Sequence, residues 1–179
     1  SDAKRMSEMG LTEVRLMEFA WNLVEPQEGN YDFSLFDEII NIFASHGIKT
    51  ILGTPTATFP VWLYEKDPQI MQVYLDGSRK DFGIRRHACY NAATYFNSCM
   101  NIVDVLAKHY GNNSNVIGWQ VDNEIGHESS DVCICDNCKI AFHKWLMNRY
   151  GTIEKLNETW GTVFWGTSYT EFSQVPLHS

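Results

Sequence analysis

No stretch of this chain approaches the ~18 consecutive apolar residues that a membrane-spanning helix needs, so no membrane partner is expected. Excess basic charge is also missing: 14 Lys and Arg stand against 22 Asp and Glu, a net charge of −8. A nucleic-acid backbone binder would carry a basic stripe, and nucleic acid is therefore not expected as a partner. Internal repeats, low-complexity segments, charge blocks and linker-like composition shifts are absent as well. The start, Ser1-Asp2-Ala3-Lys4-Arg5, leads into a helix-like segment without the apolar region of a signal peptide. Five cysteines, an odd number, cannot form a complete disulfide framework within one chain. Three of them crowd into six residues, which suggests a metal and a reducing, cytoplasmic compartment.

What remains is the balance of a globular domain. Of the 179 residues, 44% are hydrophobic and 20% charged, enough to bury a core without staples. Aromatics reach 13%, with six Trp. Such rings pack cores and also line carbohydrate sites.

The periodicity alternates. Ala3 to Gly10 forms a short helix closed by Gly10, and Glu13 to Phe19 a strand. A loop over 25–30 follows, with Pro26 and Gly29 in it. Ser34 is expected to cap a helix whose apolar stripe is Leu35, Phe36, Ile39, Ile40 and Phe43, down to a stop at Gly47. Ile48 to Gly53 forms a second strand. A long loop with broken helix runs from Pro60 to about Tyr90, then a helix from Asn91 to Tyr110 with a stripe of Phe96, Met100, Val103, Leu106 and Ala107. Val116 to Val121 is a third strand. Helices over Cys138–Tyr150 and Ile153–Trp160 complete the order. Strand–helix alternation with long connections implies a parallel sheet covered by helices. Each strand ends in polar residues, where open α/β sheets and β/α barrels place their chemistry. A full barrel needs about 250 residues, so the chain is either a small open sheet or part of a barrel.

Two clusters carry chemistry. Asn123-Glu124 closes the third strand: a carboxylic acid at a strand mouth can protonate a leaving oxygen while the neighbouring amide binds a hydroxyl. That suits glycoside hydrolysis, given a second carboxylate about 5–5.5 Å away for retention. The plain alternative is a polar turn. The run Cys133-Ile134-Cys135-Asp136-Asn137-Cys138 has the spacing of a tetrahedral zinc site that needs a fourth ligand. Cys89 in a loop is free to reach it. Cys99 sits in a helix and packs as a small hydrophobe, and His87 competes for the place. Four thiolates leave no open position, so such a site would be structural. Arg85-Arg86 is either a solvated pair or a donor to a sugar hydroxyl held by the clip. Trp21, Trp62, Trp119 and Trp165 are each more often core than sugar platform; Trp21 is the best of them as a platform because it follows a strand end, and Glu18 at the same mouth could orient a neighbour or sit in a buried polar pair.

These residues resemble the N-terminal part of the catalytic barrel of glycoside hydrolase family 42, the β-galactosidases. The resemblance rests on Val14-Arg15-Leu16-Met17-Glu18-Phe19-Ala20-Trp21, Leu52-Gly53-Thr54-Pro55-Thr56-Ala57 and Gly83-Ile84-Arg85-Arg86-His87-Ala88-Cys89. It continues through Ile117-Gly118-Trp119-Gln120-Val121-Asp122-Asn123-Glu124, the cysteine run and Leu156-Asn157-Glu158-Thr159-Trp160-Gly161-Thr162-Val163-Phe164-Trp165. It implies a partial (β/α)8 TIM barrel, roughly the first half with the first strand missing, over residues 1–179. Glu124 is then the proton donor, Asn123 and Arg85 bind the galactosyl unit, and Cys89, Cys133, Cys135 and Cys138 hold a structural Zn2+ clipping the loops around 85–89 and 133–138. The substrate class is β-galactosides, and the parent enzyme a homo-oligomer. No carboxylate of the chain matches the family's nucleophile; Glu158 and Glu171 fall where the family has helix and loop. The chain is thus expected to be a fragment, inactive alone, that self-associates through open sheet edges. The alternative is a non-catalytic, zinc-stabilised α/β module that binds sugar or a partner chain.

Overall fold

The computed structural model describes residues 2–126 and 132–177. Its elements run α1 (Asp2–Glu8), β1 (Glu13–Leu16), α2 (Trp21–Val24), α3 (Ser34–Ser45), β2 (Lys49–Gly53), α4 (Val61–Lys66), α5 (Ala93–Tyr110), β3 (Val116–Gln120), α6 (Asp136–Tyr150) and α7 (Ile153–Trp160). Short 3-10 turns punctuate the loops, among them Pro55–Ala57 after β2 and Thr162–Trp165 after α7. The strands pair in chain order, β1-β2-β3, all parallel. Sequential order puts each new strand beside the last, as in the wall of a β/α barrel, and the architecture is a partial α/β barrel. Among the described residues no helix is long and apolar enough to cross a membrane.

The β1–β2 register runs from Glu13↔Lys49 to Leu16↔Leu52. Between β2 and β3 it slips: Thr50 faces Val116, but Ile51 faces Gly118. Ile117 is therefore an extra residue on β3, a bulge that bends the strand end carrying the Asn-Glu turn. Leu52, Trp21, Val24, Ile40, Leu63, Ile102 and Leu106 form the middle of the main core, between sheet and helices. A smaller cluster of Leu146, Leu156 and Val175 ties α6 to α7.

Several boundaries differ from the sequence reading, for local reasons. Ser34 is not the cap of α3 but its first residue; Phe33 occupies the cap position, and Asp32 Oδ1 accepts the Ser34 N–H at 2.9 Å. The carboxylate one residue further back thus does the work expected of the hydroxyl. The first strand stops at Leu16, because Met17 turns into the left-handed region with φ 84°. Helix α6 begins two residues early, at Asp136, whose acidic side chain suits a helix N-terminus. On α5 the buried face is Tyr95, Ile102, Leu106 and Tyr110; Phe96 and Met100 are exposed instead. They line an apolar cleft with Tyr90, Val121 and Ile125.

Candidate active site and metal centre

Three strand mouths meet at the site. After β1, Glu18 is half-buried and its Oε1 accepts from Arg15 Nε at 3.0 Å. β2 lies so close at this point that an added Cβ on Gly53 would stand 2.7 Å from Glu18 Cβ. After β3, the chain makes a tight turn through Asp122 (φ 57°) and Glu124 (φ 48°), and Arg86 opposite them has φ 59°. With Met17, these are the described non-glycine residues at positive φ; Met17, Asp122 and Glu124 stand beyond strand ends, and Arg86 in the loop before α5. Each costs about 1–3 kcal/mol relative to a relaxed backbone, so the surrounding contacts must over-determine them.

Those contacts are visible. The Asp122 N–H donates to Thr54 Oγ1 at 2.7 Å, and Asp122 Oδ1 accepts the Asn123 N–H at 2.5 Å. Gln120 Nε2 donates to the Asp122 carbonyl at 2.8 Å and to Asn123 Oδ1 at 3.2 Å. Asn123 and Asp122 are buried, while Glu124 is exposed.

The adjacent arginines part company. Arg85, half-buried, sends its guanidinium to Glu124 Oε2 at 2.9 Å and lies 5.8 Å from the centre of the exposed Phe19 ring. Arg86 is not solvated: its guanidinium is completely buried, donating to Asp122 Oδ1 at 2.6 Å and to Tyr90 Oη at 2.6 Å. The fold thus brings Arg85, Asn123 and Glu124 together from two loops. It removes Trp21 from the candidates. That ring is wholly buried, its Nε1 donating to Glu25 Oε2 at 2.7 Å, because α2 turns it under the sheet rather than into the mouth. Phe19, Tyr90, Asp122 and Thr54 were not singled out by sequence. The position of Asp122 directly before the Asn-Glu pair was the one available signal.

The cysteines resolve as a second constellation. The Sγ atoms of Cys89, Cys133, Cys135 and Cys138 all lie within 4.8 Å of one another, with 3.3 Å between Cys89 and Cys138 and 3.4 Å between Cys135 and Cys89. Tetrahedral zinc with Zn–S near 2.3 Å sets its sulfurs about 3.8 Å apart, so the donor set fits a metal ion of that kind. All five cysteines are free thiols. Two donors already point at the sulfurs: the Val73 N–H at 3.4 Å from Cys133 and Asn91 Nδ2 at 3.4 Å from Cys138, as outer partners of metal thiolates do. Hydrogen bonding from Cys89, helped by the Cys135 and Val73 amides, holds the Cys133 thiol below its ordinary value. Cys89 is pushed up by that same bond and by burial, and burial first of all pushes Cys138 up to about 11. A divalent cation would stabilise all four thiolates.

Neither competitor for the fourth position joins the cluster. Cys99 is half-buried in α5, and burial pushes its thiol up to about 12. His87 packs its buried ring against Phe59, 4.6 Å between centroids, and burial holds its pKa down to about 4. Near the chain end, Glu158 pairs with Lys155 on α7 at 2.7 Å, and Glu171 caps a 3-10 turn.

Comparison with known proteins identifies the family and the fold. The profile of the glycoside hydrolase 42 family, described as beta-galactosidase, matches residues 1–178. A beta-galactosidase of Thermus thermophilus is 47% identical over 176 residues, covering 98% of this chain and 27% of its own length. BgaA of Clostridium cellulovorans, also a beta-galactosidase, is 47% identical over 174 residues, 97% of this chain and 26% of the relative. Among solved structures, the beta-galactosidase of the haloarchaeon Halorubrum lacusprofundi superposes with a TM-score of 0.94 at 41% identity, over 98% of this chain and 26% of that one. The beta-galactosidase of Marinomonas ef1 gives 0.95 at 38%, over 98% and 27% respectively. The chain spans about a quarter of the length of these relatives.

Proposed function

Because the chain belongs to glycoside hydrolase family 42, we propose that it supplies the acid/base half of a retaining β-galactosidase acting on terminal β-D-galactosides. The observation that carries this reading is the Arg85–Glu124 contact of 2.9 Å beside the buried Asn123. Glu124 donates its proton to the glycosidic oxygen as the bond to the leaving group breaks, and later takes a proton from the water that attacks the glycosyl-enzyme. Arg85 and Asn123 donate to hydroxyls of the galactosyl unit. When a sugar hydroxyl engages Arg85, Glu124 is released to face the glycosidic oxygen.

The nucleophile is a carboxylate outside this chain. The described acids Glu18, Glu25 and Asp122 support that division, since each is otherwise engaged: Glu18 with Arg15, Glu25 with Trp21 and the Gly29 N–H, Asp122 with Arg86. A retaining mechanism without its nucleophile forms no glycosyl-enzyme, so the chain alone is inactive. Zinc bound by Cys89, Cys133, Cys135 and Cys138 has no open position, and its part is to clip the loops around 85–89 and 133–138 together. Thiolates of this kind persist in a reducing, cytoplasmic setting. The unpaired edges of β1 and β3 favour self-association, which a concentration-dependent rise in sedimentation coefficient would register.

Hydrolysis of an aryl β-galactoside by the zinc-loaded chain, with Glu124→Gln as control, tests the reading. No turnover, together with galactose-induced NMR shifts of Arg85 and Asn123, is the expected result. Turnover abolished by Glu124→Gln would place a nucleophile within these residues and overturn the division of labour. Neither turnover nor galactose shifts would favour the non-catalytic zinc module. The engagement of Glu18, Glu25 and Asp122 is the observation on that side.

A further inference from the structure

Arg86 has the burial of a core residue and the charge of a site residue, and the proposed chemistry does not use it. Its side chain is 0% exposed, so it touches no substrate. Its main chain is held in the left-handed region at φ 59° by its own N–H donating to the Ala57 carbonyl at 2.9 Å. Its guanidinium spans two partners, Tyr90 Oη on its own loop and Asp122 Oδ1 on the β3 turn, both at 2.6 Å. Asp122 in turn is pinned from three sides. Thr54 takes its N–H, Gln120 donates to its carbonyl, and its Oδ1 receives the Asn123 N–H.

We propose that Arg86 is a positioning residue: its buried pair with Asp122 latches the loop carrying Arg85 to the turn carrying Glu124 and sets the Arg85–Glu124 contact. This rests on the reading of Glu124 as acid/base and Arg85 as a galactosyl contact. The latch stands one residue from Arg85 and two from Glu124. The thiolate cluster joins the same two stretches of chain, but three residues beyond Arg86 and nine beyond Glu124. A clip that far along touches neither residue, and Thr54 and Gln120 hold the turn to the strand ends and not to the loop carrying Arg85; the ion pair joins that loop to the turn. A planar, bidentate cation is the group the place needs, since it bonds a phenol and a carboxylate at once in a fixed fork.

The test reads the contact directly, without substrate. In the zinc-loaded chain, Glu124→Gln is expected to displace the NMR signal of the Arg85 guanidinium, because the partner loses its charge. In an Arg86→Met background that displacement is expected to vanish, and in Arg86→Lys, which keeps the charge but not the fork, to return in part. Melting temperature and zinc content report that each variant is folded. Should Arg86→Met not fold, Asp122→Asn cuts the latch from the other side with a nearly isosteric group, and the same loss is expected. Undiminished Arg85–Glu124 coupling in folded Arg86→Met, or in Asp122→Asn and Arg86→Lys together, would overturn the proposal. Because turnover plays no part in this readout, a chain with coupling but no galactose response would sink the functional reading and leave the latch standing. The reverse result would do the opposite.

Discussion

Gly53 closes β2 against Glu18, and replacing it tests whether the strand mouths are packed as tightly as the geometry requires. An ideal Cβ there would lie 2.7 Å from Glu18 Cβ, 2.9 Å from Glu18 Cα and 3.1 Å from Glu18 N. Carbon atoms rest at about 3.5–4.0 Å, so Gly53→Ala must drive the backbone at Glu18 and the end of β2 apart by about 1 Å. Overpacking of this kind costs about 1–3 kcal/mol. Removing a glycine from a strand returns about 0.5–1 kcal/mol through backbone entropy, so the expected net loss is about 0–2.5 kcal/mol. At roughly 2–4 °C per kcal/mol for a chain of this size, Tm should fall by up to about 10 °C. The matched control is Gly118→Ala on β3, where the added Cβ meets only Ile51 Cγ1 and Cγ2 at 3.8 and 4.0 Å, an ordinary contact. That variant keeps the entropic gain without the clash, and its Tm should rise slightly. Thermal unfolding followed by circular dichroism on zinc-loaded protein measures both. Gly53→Ala melting at or above Gly118→Ala would refute the close approach of β2 to Glu18.

Chelation should lower Tm, because binding at a thiolate cluster is folding free energy, and Cys135→Ser should remove the one metal ion per chain expected by elemental analysis; full metal content in that variant would count against the site. Trp21→Phe strips the buried Glu25 Oε2 of its indole donor and should cost about 1–3 kcal/mol in denaturant unfolding. It should leave any galactose response unchanged, whereas loss of that response would return Trp21 to the site. Asp32 is held below the usual carboxylate value of 3.8 by the Ser34 hydroxyl and N–H. Its contribution is therefore present above that pH and lost as the pH falls through the lowered value, so the melting advantage of wild type over Asp32→Ala at neutral pH should vanish in strong acid. An advantage that persists there would mean the charged cap is not its source.

The alternation of strands and helices was legible from sequence because each element buries one face, and burial of one face writes a local period. β2 and β3 are apolar runs ended by polar turns, and α3 carries Phe36 and Ile40 at helical spacing. The cysteine run stood out because three of its members fall within six residues, whereas the Asn-Glu pair, locally no more than a polar turn after an apolar run, stood out through the resemblance. Tertiary structure decided what depends on distant parts of the chain. Cys89 rather than Cys99 completes the thiolate cluster because its loop lies over Cys138, 49 residues on. Arg85 faces Glu124 while Arg86 disappears beneath Asp122, 36 residues on, and no local pattern distinguishes two adjacent arginines. Trp21 looked like a platform because it follows a strand end, yet α2 carries it into the core. Phe96 and Met100 fit the helical period of α5, but they face an open apolar cleft with Tyr90, Val121 and Ile125 instead of the core. Periodicity says that a face is apolar; only the parallel order of β1, β2 and β3 settles what lies against it.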